Sequence, residues 1–225
     1  MSFHERLQTE TSTARAQLLA VPIIGDALSG RLTLAQYVAF LTQAYHHVRH
    51  TVPLLMACGG RLDSRHDALR TAIGHYIQEE TGHDEWILSD IAACGADAGA
   101  ARERRPNLAT ETMVSYAYHQ IDRGNPVGFF GMVHVLEGTS TAIATQAATA
   151  IRNGLRLPAP AFTYLTSHGS LDIEHVEHFK RLMETLGDPR DQTAVIGCAK
   201  AFYHLYAGVF RSLPARDACA LTEAA

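Results

Sequence analysis

Apolar residues recur at intervals of three and four positions through most of the chain, and long β-branched runs with a period of two are absent. This spacing places apolar side chains on one face of a helix, so it predicts an all-α protein with little room for a sheet. The sequence contains no internal repeat and no low-complexity segment, which argues against a solenoid. We therefore expect a bundle of about seven to eight helices.

Caps, glycines and prolines mark the ends of the predicted helices. Thr33 is the expected N-cap of the second helix, Pro53 is expected to kink that helix, and Gly82 is expected to bend the third. The polar residues 97–107 are predicted to form a surface loop, and residues 213–225 a frayed tail. The predicted helices cover about residues 3–20, 33–58, 63–95, 108–123, 126–153, 158–186 and 189–212.

The chain has 225 residues, of which 47% are hydrophobic, and this is enough for a full core in one domain spanning residues 1–225. Its 19 basic and 23 acidic side chains are interspersed without a basic stripe, so no nucleic-acid partner is expected. A polar N-terminus and the lack of eighteen consecutive apolar residues predict a cytoplasmic protein that does not enter a membrane. Four widely spaced cysteines are predicted to be reduced thiols: Cys58, Cys94, Cys198 and Cys219.

Thirteen histidines, clustered in a few segments, give the first indication of metal chemistry. On a helix, His168, Asp172 and His175 fall within roughly 60° of one another, so one helix can present three metal-binding side chains on one stripe. His178 lies roughly 80° around from His168 and is a weaker candidate. A histidine-rich face is also commonly only a solvated surface, and this alternative stays open for the stripe taken alone.

A second candidate segment contains Glu79, Glu80 and His83. The Glu-x-x-His spacing of Glu80 and His83 is the one by which helical bundles direct a carboxylate and an imidazole toward a shared two-metal site. Glu79 precedes His83 by four residues and would face the same way, so spacing alone does not decide between the two glutamates.

Glu137 lies in an almost wholly apolar stretch that is predicted to be a buried helix. A carboxylate in such surroundings needs a cation or hydrogen-bonding partners to remain ionised, and a metal ion would supply the cation. His134, three residues earlier, is the best additional ligand candidate. One histidine of the group His46, His47 and His50, and one or two of the tyrosines, are expected near the cavity, whereas most are expected to be structural.

Together these segments supply three carboxylates and three imidazoles. Nitrogen and oxygen donors without thiolate suit iron or manganese better than structural zinc, and two ions bridged by a carboxylate are the natural stoichiometry. The predicted ligands are Glu80, His83, Glu137, His168, Asp172 and His175.

With these residues the chain resembles the haem-oxygenase-like diiron oxidases and oxygenases, often called iron-containing redox enzymes, a grouping that also holds the TenA and PqqC proteins. The match consists of Glu80-x-x-His83, Glu137 in its glycine-flanked apolar helix, and His168-x-x-x-Asp172-x-x-His175. The helical order agrees over nearly the whole chain. The resemblance implies a haem-oxygenase-like bundle, two iron ions, dioxygen as co-substrate, a small organic acid or amino acid as substrate, and a homodimer.

The chain also departs from some members of this grouping. Haem oxygenase holds haem through a histidine near the start of its first helix, and here no histidine occurs between His4 and His46. Enzymes of the 4-aminobenzoate type carry a tyrosine where this chain has Leu136. TenA-type thiaminases use a cysteine in an aromatic-rich context, which none of the four cysteines has. The remaining alternative is a TenA- or PqqC-like protein of small-molecule binding or cofactor metabolism, without metal catalysis.

Overall fold

The computed structural model describes residues 1–170 and 172–216, with side chains described for all of these except residues 140–141, 168–170 and 172–176. Every regular element in these ranges is a helix. Three short 3-10 turns cover Ser64–His66, Pro126–Phe129 and Ala159–Phe162. The α-helices are α1 (Phe3–Leu19), α2 (Pro22–Leu28), α3 (Leu34–Val48), α4 (Thr51–Arg61), α5 (Asp67–Glu80), α6 (His83–Ala93), α7 (Ala98–Glu103), α8 (Leu108–Arg123), α9 (Phe130–Leu155), α10 (Thr163–Ser170), α11 (Asp172–Glu184) and α12 (Pro189–Arg211).

The all-α prediction is confirmed, but the helices of the described residues outnumber the expected seven to eight, because some predicted segments are divided and two further short helices, α2 and α7, are present. The second predicted helix ends at Val48 and resumes at Thr51, so the break precedes Pro53. Pro53 therefore stands in the first turn of α4, where a missing N–H breaks no intrahelical bond. The third predicted helix is divided at Gly82, whose φ of 93° places it in the left-handed region that favours glycine.

Two further elements correct the predicted boundaries. Residues 97–107 are not only a loop, because α7 forms within them after Asp97, whose side chain accepts the backbone N–H of Ala100 at 2.9 Å. Helix α2 was not predicted; it follows α1 after two residues, with Pro22 at its first position. Residues 158–186 contain a 3-10 turn followed by α10 and α11 on either side of Leu171, which lies outside the described residues.

Helix α9 packs against α2, α10, α11 and α12 and takes part in two clusters of buried apolar side chains. Its first turns contribute residues such as Phe130 and Val135 to a cluster shared with α1, α4, α5, α8 and α12. Its later turns contribute Ala144 and Ile151 to a cluster shared with α3, α6 and α10. Glu137 therefore lies on the central helix, between the two clusters.

No single helix of the described residues is both long enough and apolar enough to cross a membrane. One bent pair, Pro126–Thr139 with Ala142–Leu155, meets that criterion when its two parts are taken together.

Asp90 joins α6 to the start of α10. It is completely buried, and its two carboxylate oxygens accept the backbone N–H groups of Thr163 at 3.0 Å and Tyr164 at 2.8 Å. Burial raises the pKa of Asp90 above its usual range, while the hydrogen bonds from Tyr164 and Thr163 act in the opposite direction. The carboxylate thus caps the first turn of α10 and fixes that helix against α6.

Replacing Asp90 by alanine is expected to destabilise the fold by about 2–3 kcal/mol, because two buried N–H groups lose a charged acceptor. Urea unfolding of the variant and the parent measures this difference. Ser89→Ala, an exposed neighbour on α6, is the control and should change the stability by less than about 0.5 kcal/mol. Equal stabilities for Asp90→Ala and the parent would contradict the capping role.

Candidate metal centre

Glu80 and His83 meet at the junction of α5 and α6. Glu80 is the last residue of α5 and His83 the first of α6, so the Glu-x-x-His spacing spans a helix break rather than a continuous helix. The left-handed Gly82 turns the chain, and His83 Nδ1 comes within 3.1 Å of Glu80 Oε2. His83 is buried, and the ring of Trp86 covers it with a centroid distance of 4.1 Å. The break thus brings the two predicted ligands together.

Glu80 and Glu137 line the same cavity. We call it the carboxylate cavity. Its wall comes from α3, α4, α5, α9, α10 and α12, together with Phe129 before α9. Among the described residues that line it there is no lysine or arginine. Two carboxylates in a largely apolar cavity favour a bound cation, since burying negative charge without one is costly. The polar lining residues are His47, Thr51, Tyr76, Glu80, Glu137, Tyr164 and Tyr206.

Burial and the nearby carboxylates raise the pKa values of two tyrosines that line this cavity. Burial, and then the negative charges of Glu137, Glu79 and Glu80, raise the pKa of Tyr76. Burial also raises the pKa of Tyr164 well above its usual value, with further contributions from Tyr206 and Glu80. These phenols therefore stay protonated, and each retains a hydroxyl that can donate a hydrogen bond.

The triplet His168, Asp172 and His175 lies outside the described side chains, so only its helices can be placed. His168 belongs to α10, and the other two residues belong to α11. Helix α10 packs against α9 and α6, and α11 packs against α9 and α5. The helices that carry the triplet are therefore neighbours of the helices that carry Glu137, His83 and Glu80.

The weaker candidates occupy three different surroundings. Glu79 is exposed and does not line the carboxylate cavity, in contrast to Glu80. His134 is buried on a face of α9 that does not line the carboxylate cavity. There its ring stacks on that of Phe179, with a centroid distance of 5.8 Å. Burial lowers the pKa of His134 to about 4, with smaller contributions from His4 and Arg15 of α1, so the neutral form of its ring is favoured near neutral pH.

His178 is half-buried on α11, and its ring centroid lies 6.4 Å from that of Tyr76. Its Nε2 atom is buried and has no hydrogen-bond partner among the described residues. Since Tyr76 lines the carboxylate cavity, His178 lies beside a residue of the cavity wall without lining the cavity itself.

No group of three or more histidine, cysteine, aspartate or glutamate side chains with the spacing of a metal site occurs among the described residues. The side chains of His168, Asp172 and His175 are not among the described residues. The donors that are described, two carboxylates and the imidazole of His83, are those that suit iron and manganese. His83 contacts Glu80 but is not among the residues that line the carboxylate cavity.

The sequence did not single out Tyr206, whose position in the cavity depends on how α12 packs against α9. No local pattern distinguishes it from a structural tyrosine.

The histidines His46, His47 and His50 were expected to include one residue near the cavity, and His47 lines it. The ring of His47 meets that of Tyr206 edge-on, with a centroid distance of 5.9 Å.

The described cysteines are unsuited to nucleophilic chemistry. All three are buried, and none lines the carboxylate cavity. Burial raises the pKa of Cys58 and Cys198 to about 12 and that of Cys94 to about 11, so their thiolate forms are scarce near neutral pH. Cys219 lies outside the described residues.

Comparison with known families decides the classification. The family model of iron-containing redox enzymes matches residues 38–207, well over half of the chain. The chain belongs to the iron-containing redox enzyme family. The matched segment includes α4 to α11 and hence all six predicted ligands. No curated protein matches this family member in sequence.

Solved structures agree with this family assignment at the level of the fold. A domain of unknown function with a haem oxygenase-like fold from Shewanella denitrificans OS217 is 25% identical, with a TM-score of 0.84 over 95% of this chain and 92% of that one. A TenA homologue from Pseudomonas syringae pv. tomato is 11% identical, with a TM-score of 0.80 over 93% and 91%. Haem oxygenase-1 from Synechocystis, in complex with haem, is 11% identical, with a TM-score of 0.77 over 99% and 96%. The fold is haem oxygenase-like.

Proposed function

We propose that this protein is a non-haem diiron oxidase or oxygenase that uses dioxygen to oxidise or cleave a small carboxylic or amino acid-like substrate. The observation that carries the proposal is the pair of carboxylates, Glu80 and Glu137, in the wall of one cavity whose described lining residues include no lysine or arginine. Membership of the iron-containing redox enzyme family supports iron as the metal.

Two iron ions, or manganese in their place, would be held by the six ligands expected from the sequence. Glu80, Glu137 and Asp172 would balance the positive charge of the ions. The structure favours Glu80 over Glu79, since Glu80 lines the cavity and contacts His83. Iron bound there would supply the activation of dioxygen, which no amino-acid side chain provides.

The protein's own contribution is to bind and orient the substrate. The apolar wall of the cavity, formed by residues such as Phe129, Met132 and Leu136, would pack against the body of the substrate and exclude water. The hydroxyls of Tyr76 and Tyr164 are protonated donors beside the carboxylates and would orient a polar group of the substrate.

The second candidate is a small-molecule binding or cofactor-metabolism protein of the same fold that works without metal catalysis. The likeness to a TenA homologue shows only the shared fold, because the identity is 11%. The raised pKa values of the buried cysteines oppose a thiol-dependent form of this alternative. The experiment must therefore distinguish the diiron enzyme from a binding protein that needs no metal.

Anaerobic loading with ferrous iron, followed by oxygen exposure, separates the two candidates. We expect about two iron equivalents per chain and an absorbance change when oxygen is admitted. His168→Ala should lose iron, whereas the control His119→Ala, an exposed histidine on α8, should retain it. Turnover is then sought with a panel of fatty acids and amino acids. Failure to bind iron, with His168→Ala indistinguishable from the parent, would overturn the proposal.

A further inference from the structure

Trp86, the single tryptophan of the chain, lies over one of the predicted metal ligands. It follows His83 by one turn of α6, and the two ring centroids are 4.1 Å apart with 31° between the ring planes. Residues three apart on a helix share a face, so the formation of α6 itself brings the two rings together. The indole therefore covers one face of the imidazole.

This pair of rings lies near the surface of the protein. Thr81 and Glu85, on either side of His83 in the chain, are exposed, yet only 4% of His83 is accessible to solvent. Trp86 is 36% exposed, so part of its indole meets water while one face contacts the imidazole. The indole thus separates the imidazole of His83 from solvent on that side.

The other contact of His83 leads toward the carboxylate cavity. Its Nδ1 atom lies 3.1 Å from Glu80 Oε2, and Glu80 lines the cavity. Trp86, His83 and Glu80 therefore follow one another from the surface to the cavity wall. Because α5 ends at Glu80 and α6 begins at His83, no turn of the same helix precedes the imidazole. Its orientation depends on the carboxylate at its edge and on the indole at its face.

We propose that Trp86 is a positioning residue of the metal centre, which fixes the ring of His83 for metal binding and strengthens the bond to the metal. This role rests on the function proposed above. An imidazole bound to a metal carries part of the positive charge of the ion, and the face of an indole attracts positive charge. The stacking of Trp86 on His83 is therefore more favourable with metal bound than without it, so the indole increases metal affinity.

The test titrates the metal-free full chain with ferrous iron without oxygen, and separately with cobalt(II), whose visible absorption reports the geometry of its ligands. Trp86→Leu keeps an apolar side chain but removes the aromatic face. It should raise the Kd for ferrous iron about tenfold or more and shift the cobalt absorption bands. Trp86→Phe retains an aromatic face and should stay within about threefold of the parent.

The control is Ser89→Ala, an exposed position one turn further along α6, which should bind both ions as the parent does. Thermal unfolding of the metal-free variants separates loss of stability from loss of affinity. A tryptophan that only packs against α6 would change the first and leave the Kd and the cobalt spectrum unchanged.

The emission of Trp86 gives a second readout that needs no substitution at this position, and it decides the matter if Trp86→Leu fails to fold. Since the chain has no other tryptophan, ferrous iron bound at His83 should quench the emission, with saturation at the stoichiometry of binding. His83→Ala should abolish this quenching.

An unchanged Kd and cobalt spectrum in Trp86→Leu, or emission that does not respond to bound iron, would overturn the inference and leave the diiron proposal intact. Iron affinity that depends on Trp86, in protein that does not react with oxygen, contradicts only the proposed function. A parent protein that binds neither ion overturns both.

Discussion

Glu137→Gln is expected to lower bound iron from about two equivalents to one or fewer and to reduce oxygen-dependent turnover at least about 100-fold. Glutamine keeps the shape of the side chain and one oxygen, but it removes the negative charge that would balance the cation in the carboxylate cavity. Iron content by elemental analysis, together with oxygen consumption, measures both effects.

The control for this variant is Glu111→Gln, an exposed glutamate in the first turn of α8. It makes the same chemical change on the surface and should leave iron content unaltered. The pair Glu79→Gln and Glu80→Gln settles which neighbouring glutamate is the ligand, and only the change at Glu80 should lower iron content. If Glu137→Gln retained its full iron content, Glu137 would not be a ligand of the metal centre.

Gly131→Ala is expected to destabilise the protein by about 3 kcal/mol, equivalent to a fall of about 10 °C in Tm. A Cβ atom at Gly131 would come within 2.4 Å of the carbonyl oxygen of Val195 and 2.6 Å of the backbone nitrogen of Ala199. Both neighbours are backbone atoms of α12, so α9 and α12 would have to separate. Thermal unfolding followed by circular dichroism measures the change.

Gly197→Ala is the matched control for this prediction. Gly197 lies on α12 beside the same interface, but it is exposed, and a Cβ there meets nothing within 4 Å. Alanine favours the helix over glycine, so this variant should be more stable by about 0.5–1 kcal/mol. Similar Tm values for the two variants would contradict the close approach of α9 to α12.

The sequence predicted those helix ends that depend on local chemistry. Thr33 caps α3 as expected, with Gln36 completing the capping box, and α8 covers the predicted residues 108–123. The break before Pro53 was missed because two helices meet there without a glycine, and a proline in a first turn has the same local signature as a kink. Helix α7 was missed because it is short and only Ala101 in it is buried, which leaves almost no apolar period.

In the candidate metal centre, the sequence predicted which residues come together more accurately than the local structure around them. Glu80 and His83 come together as expected, but across a left-handed glycine rather than on one helix. The composition around Glu137 correctly indicated an apolar environment, because burial follows from the residues of its own helix. The position of Tyr206 in the wall of the carboxylate cavity could not be predicted, because it depends on how distant helices pack together. The predictions for His168, Asp172 and His175 stay predictions.

Iron anomalous scattering from crystals of the iron-loaded protein tests the central claim most directly, because it locates the metal independently of activity. We predict two neighbouring anomalous peaks within coordinating distance of Glu80, His83 and Glu137, completed by His168, Asp172 and His175. Iron bound only elsewhere, for example at the surface histidines, or the absence of any peak in the carboxylate cavity, would contradict the account.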